Sequence, residues 1–530
     1  MKKFTSIYKL IPAAALTLAI AGQTACTKNF ESFNTNPNEL TDSLLKYDYK
    51  YVGAFIPGML TSIYSTVDWQ YQLQQNLNAD IYSGFMGIPT PFNSGKNNSN
   101  YFMMDWNNWV FKVPYDNIMS GWKLVQERGA KTRPDLFAVA TIVKVTAMHR
   151  VTDVFGPIPY SKFGAGGFST PYDSQESVYN AFFTELDQAI ASLTTFDKTN
   201  PGGKAQLKPF DLVYGGEYAN WIRLANSLKL RLAMRLAYIK PTLAKQKAEE
   251  AVANEYGVFT SNAQNATVHS GNGITVSNSL YVISQEYNDI RMGATMESFL
   301  KGYNDPRLPK YFRASALAGG GFKGVRNGID IKVKTDYETF SPLNIERSTP
   351  IRVMSASEMF FLRAEGAIRG WDMKGTAKTL YEEGIRTSFA QFDAGDASAY
   401  IANGTAKPAT YTDPVNADNN VTAADSYLST MTIAWNDGDG FEKKLERIVT
   451  QKWISLFPDG QEAWSEFRRT GYPKLWPVVV NLSSGTVTGF INRLPFPPDE
   501  YKNNKDETTK AAALLGGLDN PGTKLWWQRP

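Results

Sequence analysis

Tyr82, Phe85, Phe92, Tyr101, Phe102, Trp106 and Trp109 fall within 28 residues that are otherwise rich in Asn, Gly and Ser. An amphipathic helix would bury such rings along one stripe. Among turn formers a continuous apolar face is hard to build, so some rings are left to meet a partner. Flat rings stack on the C–H faces of sugars, and nearby amides and carboxylates bond to hydroxyls. A second cluster holds Tyr281, Tyr287, Asn288, Asp289 and Arg291, followed by Tyr303-Asn304-Asp305. The rings chosen as ligand contacts are Tyr82, Trp106, Trp109, Tyr287 and Tyr303, and the polar contacts are Asn107, Asp289 and Arg291. The alternative for every one of them is burial in the core or anchoring of a loop.

Catalytic groups are few. The chain has one cysteine, Cys26, and two histidines, His149 and His269. That rules out an intrachain disulfide and leaves almost nothing for a Cys/His zinc site. His149 lies on an apolar helical stretch and reads as a packed core residue. There is no G-x-x-x-x-G-K-[ST] phosphate loop, no H-E-x-x-H and no G-x-S-x-G. Gly319-x-Gly321-x-x-Gly324 has the spacing of a dinucleotide fingerprint, but its flanks supply neither the strand nor the helix that the chemistry needs. It reads as a flexible loop or hairpin turn. A glycosidase requires only two carboxylates. Asp105, Asp153, Asp289 and Glu297 are the candidates, with surface acid or helix cap as the plain alternative. No cofactor or metal is expected.

The elements that must position these residues are helical. Residues 134–152 open on Pro134, a favoured first-turn residue. In 174–194, Val178, Phe182, Leu186 and Ile190 recur every fourth position behind Ser174, a candidate cap. Residues 220–239 interleave Arg223, Lys229, Arg231 and Arg235 with Leu and Ala, and Pro241 is expected to end that helix. Residues 357–369 and 374–389 form a helix pair around Gly370-Trp371-Asp372, and 442–456 closes the set. Ala364, Gly370, Ala377 and Tyr381 give the pair a tetratricopeptide-like pattern, a unit that buries its face by stacking. Loop-like segments at 84–100, 164–173, 260–279, 319–338 and 393–424 interrupt the helices, and long loops on a rigid scaffold are where sites form.

At the N-terminus, Lys2, Lys3 and Lys9 precede an apolar run from Leu10 to Ala21, the pattern of an export signal. Two processing readings compete. Cleavage after Ala19-Ile20-Ala21 would release a soluble protein. Gln23-Thr24-Ala25-Cys26 resembles a lipobox, in which Cys26 is acylated and becomes the first mature residue, tied to a membrane by its chains. On the second reading residues 1–25 are a signal peptide, 26–40 a tether and 41–530 a single domain. Without the three lysines the formal charge falls from +4 to near +1, so no basic field is left to gather nucleic acid.

QKWISLFPDGQEAWSEFRRTGYP (451–473), RLPFPPDEYKNN (493–504) and GGLDNPGTKLWWQ (516–528) resemble the SusD/RagB family. So do FNTNPN (33–38), RVTDVFGPIPYS (150–161), SLYVISQEYNDIRMGATMESFLKGYNDPRL (279–308) and SASEMFFLRAEGAIRGW (355–371). The pieces keep the family's order over the whole mature chain. The resemblance implies a mostly α fold, with four tetratricopeptide-like pairs supporting a loop-rich ligand-binding half. It implies an outer-membrane, lipid-anchored protein that faces the exterior and caps a SusC-type TonB-dependent transporter. Such a protein binds oligosaccharides, or peptides in the RagB branch, without being an enzyme. A surface glycosidase is the rival reading. Cys26 matches the lipidation position. Arg468 and Arg469 are expected to pair with carboxylates and hold the C-terminal segment. Ligand contacts follow no motif in this family, so the residues chosen above rest on chemistry alone.

Overall fold

Pro134 starts a helix that runs unbroken to Phe155, where Gly156, at φ 85°, stops it. Ser174 caps the next one, its hydroxyl accepting from the Ser177 N–H at 3.2 Å. The computed structural model describes residues 49–529, and Val52 onward forms one compact unit. Cys26 and the proposed tether lie outside the described residues. The main helices are α1 (Ile56–Ile63), α2 (Asp68–Tyr71), α3 (Asn107–Val113), α4 (Ser120–Gly129), α5 (Pro134–Phe155), α6 (Gln175–Thr199), α7 (Tyr218–Arg235), α8 (Pro241–Ala253), α9 (Ala294–Gly302), α10 (Ala356–Ile368), α11 (Ala377–Gln391), α12 (Phe441–Leu456) and α13 (Gly460–Thr470).

Neighbouring helices pack as pairs: α5 with α6, α7 with α8, α10 with α11, and α12 with α13. The pairs also meet one another, α6 on α7, α7 on α10 and α10 on α12, and α4 lies against α5. The α10/α11 pair shows how sequence sets this geometry. Gly384 lets the Phe361 ring lie against α11, and a Cβ there would come within 2.8 Å of it. Tyr381 is fully buried and donates its hydroxyl to the Ile433 carbonyl at 2.6 Å. Strand is scarce. β1 (Met86–Gly87) pairs antiparallel with β3 (Arg291–Met292), and β2 (Ala266–Val268) with β4 (Ile351–Met354) across an irregular register.

The basic residues of α7 do not face solvent. Arg231 holds Glu358 of α10 bidentately at 2.8 and 2.5 Å. Arg235 reaches Asp153, Glu462 and Glu466 at 3.2, 2.7 and 2.5 Å. Arg469 clamps Glu365 and Glu466 at 2.6 and 2.7 Å. All these groups are buried. Buried charges persist only when paired, and here the pairing cross-links α5, α7, α10 and α13 in one register.

Two sequence expectations change. Helix α7 ends at Arg235, well before Pro241, which instead occupies the first turn of α8. Proline lacks an N–H, and the first turn is where none is needed. Among the described residues Arg468 pairs with no carboxylate. It donates to the Asp153 and Asn492 carbonyls at 2.6 and 2.8 Å and lies 3.5 Å over Trp464 and 5.1 Å over Trp527. Trp527 donates to Asp153 at 2.9 Å, so the C-terminal segment is held through indoles and backbone. Gly319, Gly320 and Gly321 form a turn with positive φ and no following helix.

Candidate functional site

The β1/β3 pairing decides which residues meet. Met86 stands opposite Met292 and Gly87 opposite Arg291, so the loop leaving β1 runs beside the segment entering β3. Gly87 is required there, because a Cβ would lie 2.6 Å from the Val325 carbonyl oxygen. The two aromatic clusters, some 200 residues apart in sequence, are thereby joined.

Asp289 is the joint. Its carboxylate accepts from Gln72 Nε2 at 2.9 Å, Thr90 Oγ1 at 2.6 Å and Lys334 Nζ at 2.9 Å. Lys334 also donates to the Tyr287 carbonyl at 2.7 Å. Four chain segments therefore converge on one buried carboxylate, through bonds that charge strengthens. Gln72 begins a π-helical stretch, Gln72–Asp80, that continues α2, and a second, Val282–Glu286, leads into Tyr287. Such wide turns recur at functional sites. Asn288 takes φ 54°, a left-handed conformation that asparagine tolerates, and this turns the chain between Tyr287 and Asp289.

Around this knot lie rings. Trp69, one turn before Gln72 on α2, is 44% exposed, and Tyr287 is 39% exposed. Trp69 stands edge-on to Trp109 with centroids 4.6 Å apart. Trp106, one turn earlier, meets Phe92 edge-on at 5.7 Å. Trp106 and Trp109 are each partly exposed, and Lys112 Nζ sits 5.4 Å from the Trp109 ring. The result is a surface of partly open rings beside fixed amide, hydroxyl and ammonium groups. It suits stacking and hydrogen bonding to a polyhydroxylated chain.

The other chosen residues lie elsewhere. Tyr82 is buried against Trp464 at 5.2 Å and donates to the Asn98 carbonyl at 3.2 Å. Tyr303 is 1% exposed and donates to the Met431 carbonyl at 2.9 Å, so neither of its faces is open. Arg291 spends its guanidinium on the Glu338, Ser284 and Ile290 carbonyls and on Asn288 Oδ1, and burial lowers its pKa to about 10. Asn107 donates to the Pro495 carbonyl at 2.8 Å, with its own oxygen unpartnered. Other asparagines of this stretch tie the loop to itself: Asn97 caps the turn at Asn98–Asn100, and Asn98 accepts from the Met104 N–H at 2.8 Å. The alternative weighed from sequence, anchoring of a loop, describes these asparagines.

The candidate carboxylates are committed too, apart from exposed Asp105. Asp153 accepts from Tyr179 at 2.6 Å as well as from Arg235 and Trp527. Glu297 accepts from the Gly324 N–H at 2.7 Å and from Lys323 and Lys301 at 3.0 and 2.9 Å. His149 is buried, its Nδ1 3.1 Å from the Val145 carbonyl oxygen, and His269 is exposed. Among the described residues no group of three His, Cys, Asp or Glu is placed to hold a metal ion. Among them, too, no helix is long and apolar enough to cross a membrane.

Trp69, Gln72, Thr90 and Lys334 were not among the residues chosen from sequence. Trp69 carried a signal, an indole between Asp68 and Gln70 in a polar stretch. The other three carried none.

Residues 32–528 match the SusD-like family model, described as SusD and RagB outer membrane lipoprotein. A chitin-binding SusD homologue from Flavobacterium johnsoniae is 43% identical, with a TM-score of 0.86 over 90% of this chain and 98% of that one. A SusD homologue from Bacteroides vulgatus is 36% identical, at 0.85 over 91% and 99%. One from Bacteroides uniformis is 38% identical, at 0.83 over 91% and 99%. No curated protein matches the chain.

Proposed function

Because the chain belongs to the SusD/RagB family of outer-membrane lipoproteins, we propose that it is a glycan-binding protein of the cell surface. On this reading the rings of Trp69, Trp109 and Tyr287 take the sugar faces, and polar groups around Asp289 orient the chain. The observation that carries it is the placement of two large, half-open rings beside a carboxylate whose geometry is fixed by three donors. Rings held open at a cost in solvation are what a stacking site requires. The 43% identical relative named for chitin binding supports a β-linked amino sugar as the first ligand to test.

The anchor is a lipid on Cys26, and the captured oligosaccharide passes to a SusC-type TonB-dependent transporter. The chain binds and does not hydrolyse. Calorimetry of the purified chain from Val52 onward, together with its N-terminal segment, is run against chitohexaose, a panel of other oligosaccharides and short peptides. Glycan binding that is lost on Trp69→Ala or Tyr287→Ala supports the reading. Binding of peptides alone, or release of shorter sugars, overturns it. Recovery of a TonB-dependent β-barrel with the tagged chain from outer membranes tests the partner.

A further inference from the structure

A cavity of about 190 Å³ lies between α1, β4, the segment before it and the turn at Phe457-Pro458. None of the rings or polar groups of the proposed glycan surface lines it. Leu280, Ile345, Phe392 and Phe457 make its walls apolar. Two features of its polar lining bear on what it could hold.

The first is Arg352. It belongs to β4, opposite Thr267. Its guanidinium donates to the Phe457 carbonyl and lies 5.0 Å from the Phe392 ring centroid. Among the described residues it has no carboxylate partner. Burial accordingly holds its pKa below the ordinary guanidinium value. Arg231, Arg235 and Arg469 of the helical scaffold each hold one or more carboxylates, while Arg363 and Arg468 spend their N–H groups largely on backbone carbonyls; Arg352 differs from both in facing a cavity. The other cation on the lining, Lys310, makes only a loose 3.5 Å pair with Asp393, whose side chain is fully exposed. The one acid on the lining, Asp459, is occupied by Arg150, which donates to both of its oxygens at 3.2 Å. The cavity therefore carries an uncompensated positive charge.

The second is Tyr64. It is 6% exposed, and its hydroxyl makes no hydrogen bond of ordinary geometry, with the Asp459 carboxylate near enough to engage it only weakly. A buried hydroxyl left unpaired is costly. A guanidinium with free N–H groups and a weakly engaged hydroxyl, set in apolar walls, are the complement of a carboxylate on an apolar body.

We propose that this cavity is a binding site for a small monocarboxylate whose apolar body is about the size of one six-membered ring. Arg352 and Tyr64 donate to the carboxylate, and Leu280, Ile345 and Phe392 enclose the body. The size follows from the volume, because an apolar cavity of about 150 Å³ accommodates benzene and little more.

Benzoate, benzamide and benzylamine are the probes, titrated by calorimetry into the full mature chain. The expected result is saturable benzoate binding, with benzamide about tenfold weaker and benzylamine undetected, since the charged acceptor is what Arg352 answers. Arg352→Gln abolishes the preference for benzoate over benzamide, Arg352→Lys retains part of it, and Tyr64→Phe weakens benzoate severalfold. Trp69→Ala leaves benzoate binding unchanged, which separates this site from the glycan surface. If Arg352→Gln fails to fold, the ranking of the three probes on the wild-type chain still decides. Equal binding of benzoate and benzamide, no benzoate binding at millimolar concentration, or loss of benzoate binding on Trp69→Ala overturns the proposal.

Discussion

Replacing Trp69 by alanine tests the glycan surface most directly. A tryptophan side chain offers up to about 250 Å², and at 44% exposure Trp69 leaves on the order of 100 Å² open to a ligand. A pyranose ring stacked on it covers roughly half of that area and loses a similar area of its own, about 100 Å² in all. At about 25 cal/mol per Å² the contact is worth roughly 2.5 kcal/mol, or about 70-fold in affinity. The fold should survive the change. The covered part of the side chain, on the order of 140 Å², is worth about 3 kcal/mol, and the edge-on meeting with Trp109 at 4.6 Å adds about 1 kcal/mol. In a unit of this size that moves the melting temperature by about 4–8 °C. Calorimetric titration of the glycan identified by screening, with thermal melting in parallel, reads both quantities. Trp69→Phe should keep part of the affinity, because a smaller plate still stacks. Wild-type affinity in a folded Trp69→Ala protein would refute the reasoning, since no ring on this surface is more open.

Asp289→Asn removes the ion pair to Lys334 and should loosen the junction of the two clusters, costing roughly 2 kcal/mol of stability by urea denaturation and weakening glycan binding. Arg469→Met strands Glu365 and Glu466 in the interior and should cost about 3–5 kcal/mol in the same assay, with a smaller loss when Glu365→Gln is combined with it. Burial raises the Asp80 carboxyl from 3.8 to about 7 in the folded chain. A carboxyl raised in this way contributes its full stability below the unfolded value and loses it as pH climbs toward 7. Asp80→Asn has no such loss, so its stability relative to wild type should rise by roughly 2–4 kcal/mol between pH 4 and pH 7.5, measured by urea denaturation at each pH; a pH-independent difference contradicts the assignment. Cys26→Ser should move the protein from the membrane fraction to the soluble one, and mass spectrometry of the wild-type N-terminal peptide should show acyl chains.

The helical platform was legible because helix formation is local. Pro134, Ser174 and the fourfold spacing of Val178, Phe182, Leu186 and Ile190 lie within a turn or two of the bonds they govern. Pro241 was misread for the same local reason. Proline forbids a helix interior, which fits both the end of one helix and the start of the next, and only the packing of α8 on α7 distinguishes them. The fate of the α7 arginines was less legible. Charges every few residues on a helix ordinarily mark a wetted face, whereas Arg231 and Arg235 turn inward because Glu358, Glu462 and Glu466 arrive there from more than a hundred residues away.

The proposed surface was partly legible, and its two parts differ in kind. Ring density in a polar stretch pointed to Trp106, Trp109 and Tyr287, and it pointed equally to Tyr82 and Tyr303, which the core takes. Composition reports how much apolar surface a segment carries, but exposure depends on what covers it. Tyr303 lies on the chain just past α9, where Phe299 and Tyr400 enclose it. Trp69 lies in the first turn of the helical segment that α2 opens, where no preceding turn covers its outer face. Asp289 shows the converse. Its residue type and its neighbours suggested a polar contact for a sugar, yet its oxygens are already engaged by Gln72, Thr90 and Lys334, which β1/β3 pairing and the loop beyond deliver. On the proposed reading its role is to hold the donors and rings around it in place, so the affinity lost in Asp289→Asn should come from a loosened junction, whereas that lost in Trp69→Ala should scale with ring area, Trp69→Phe falling between. The two variants thus separate a residue that touches ligand from one that arranges the residues that do.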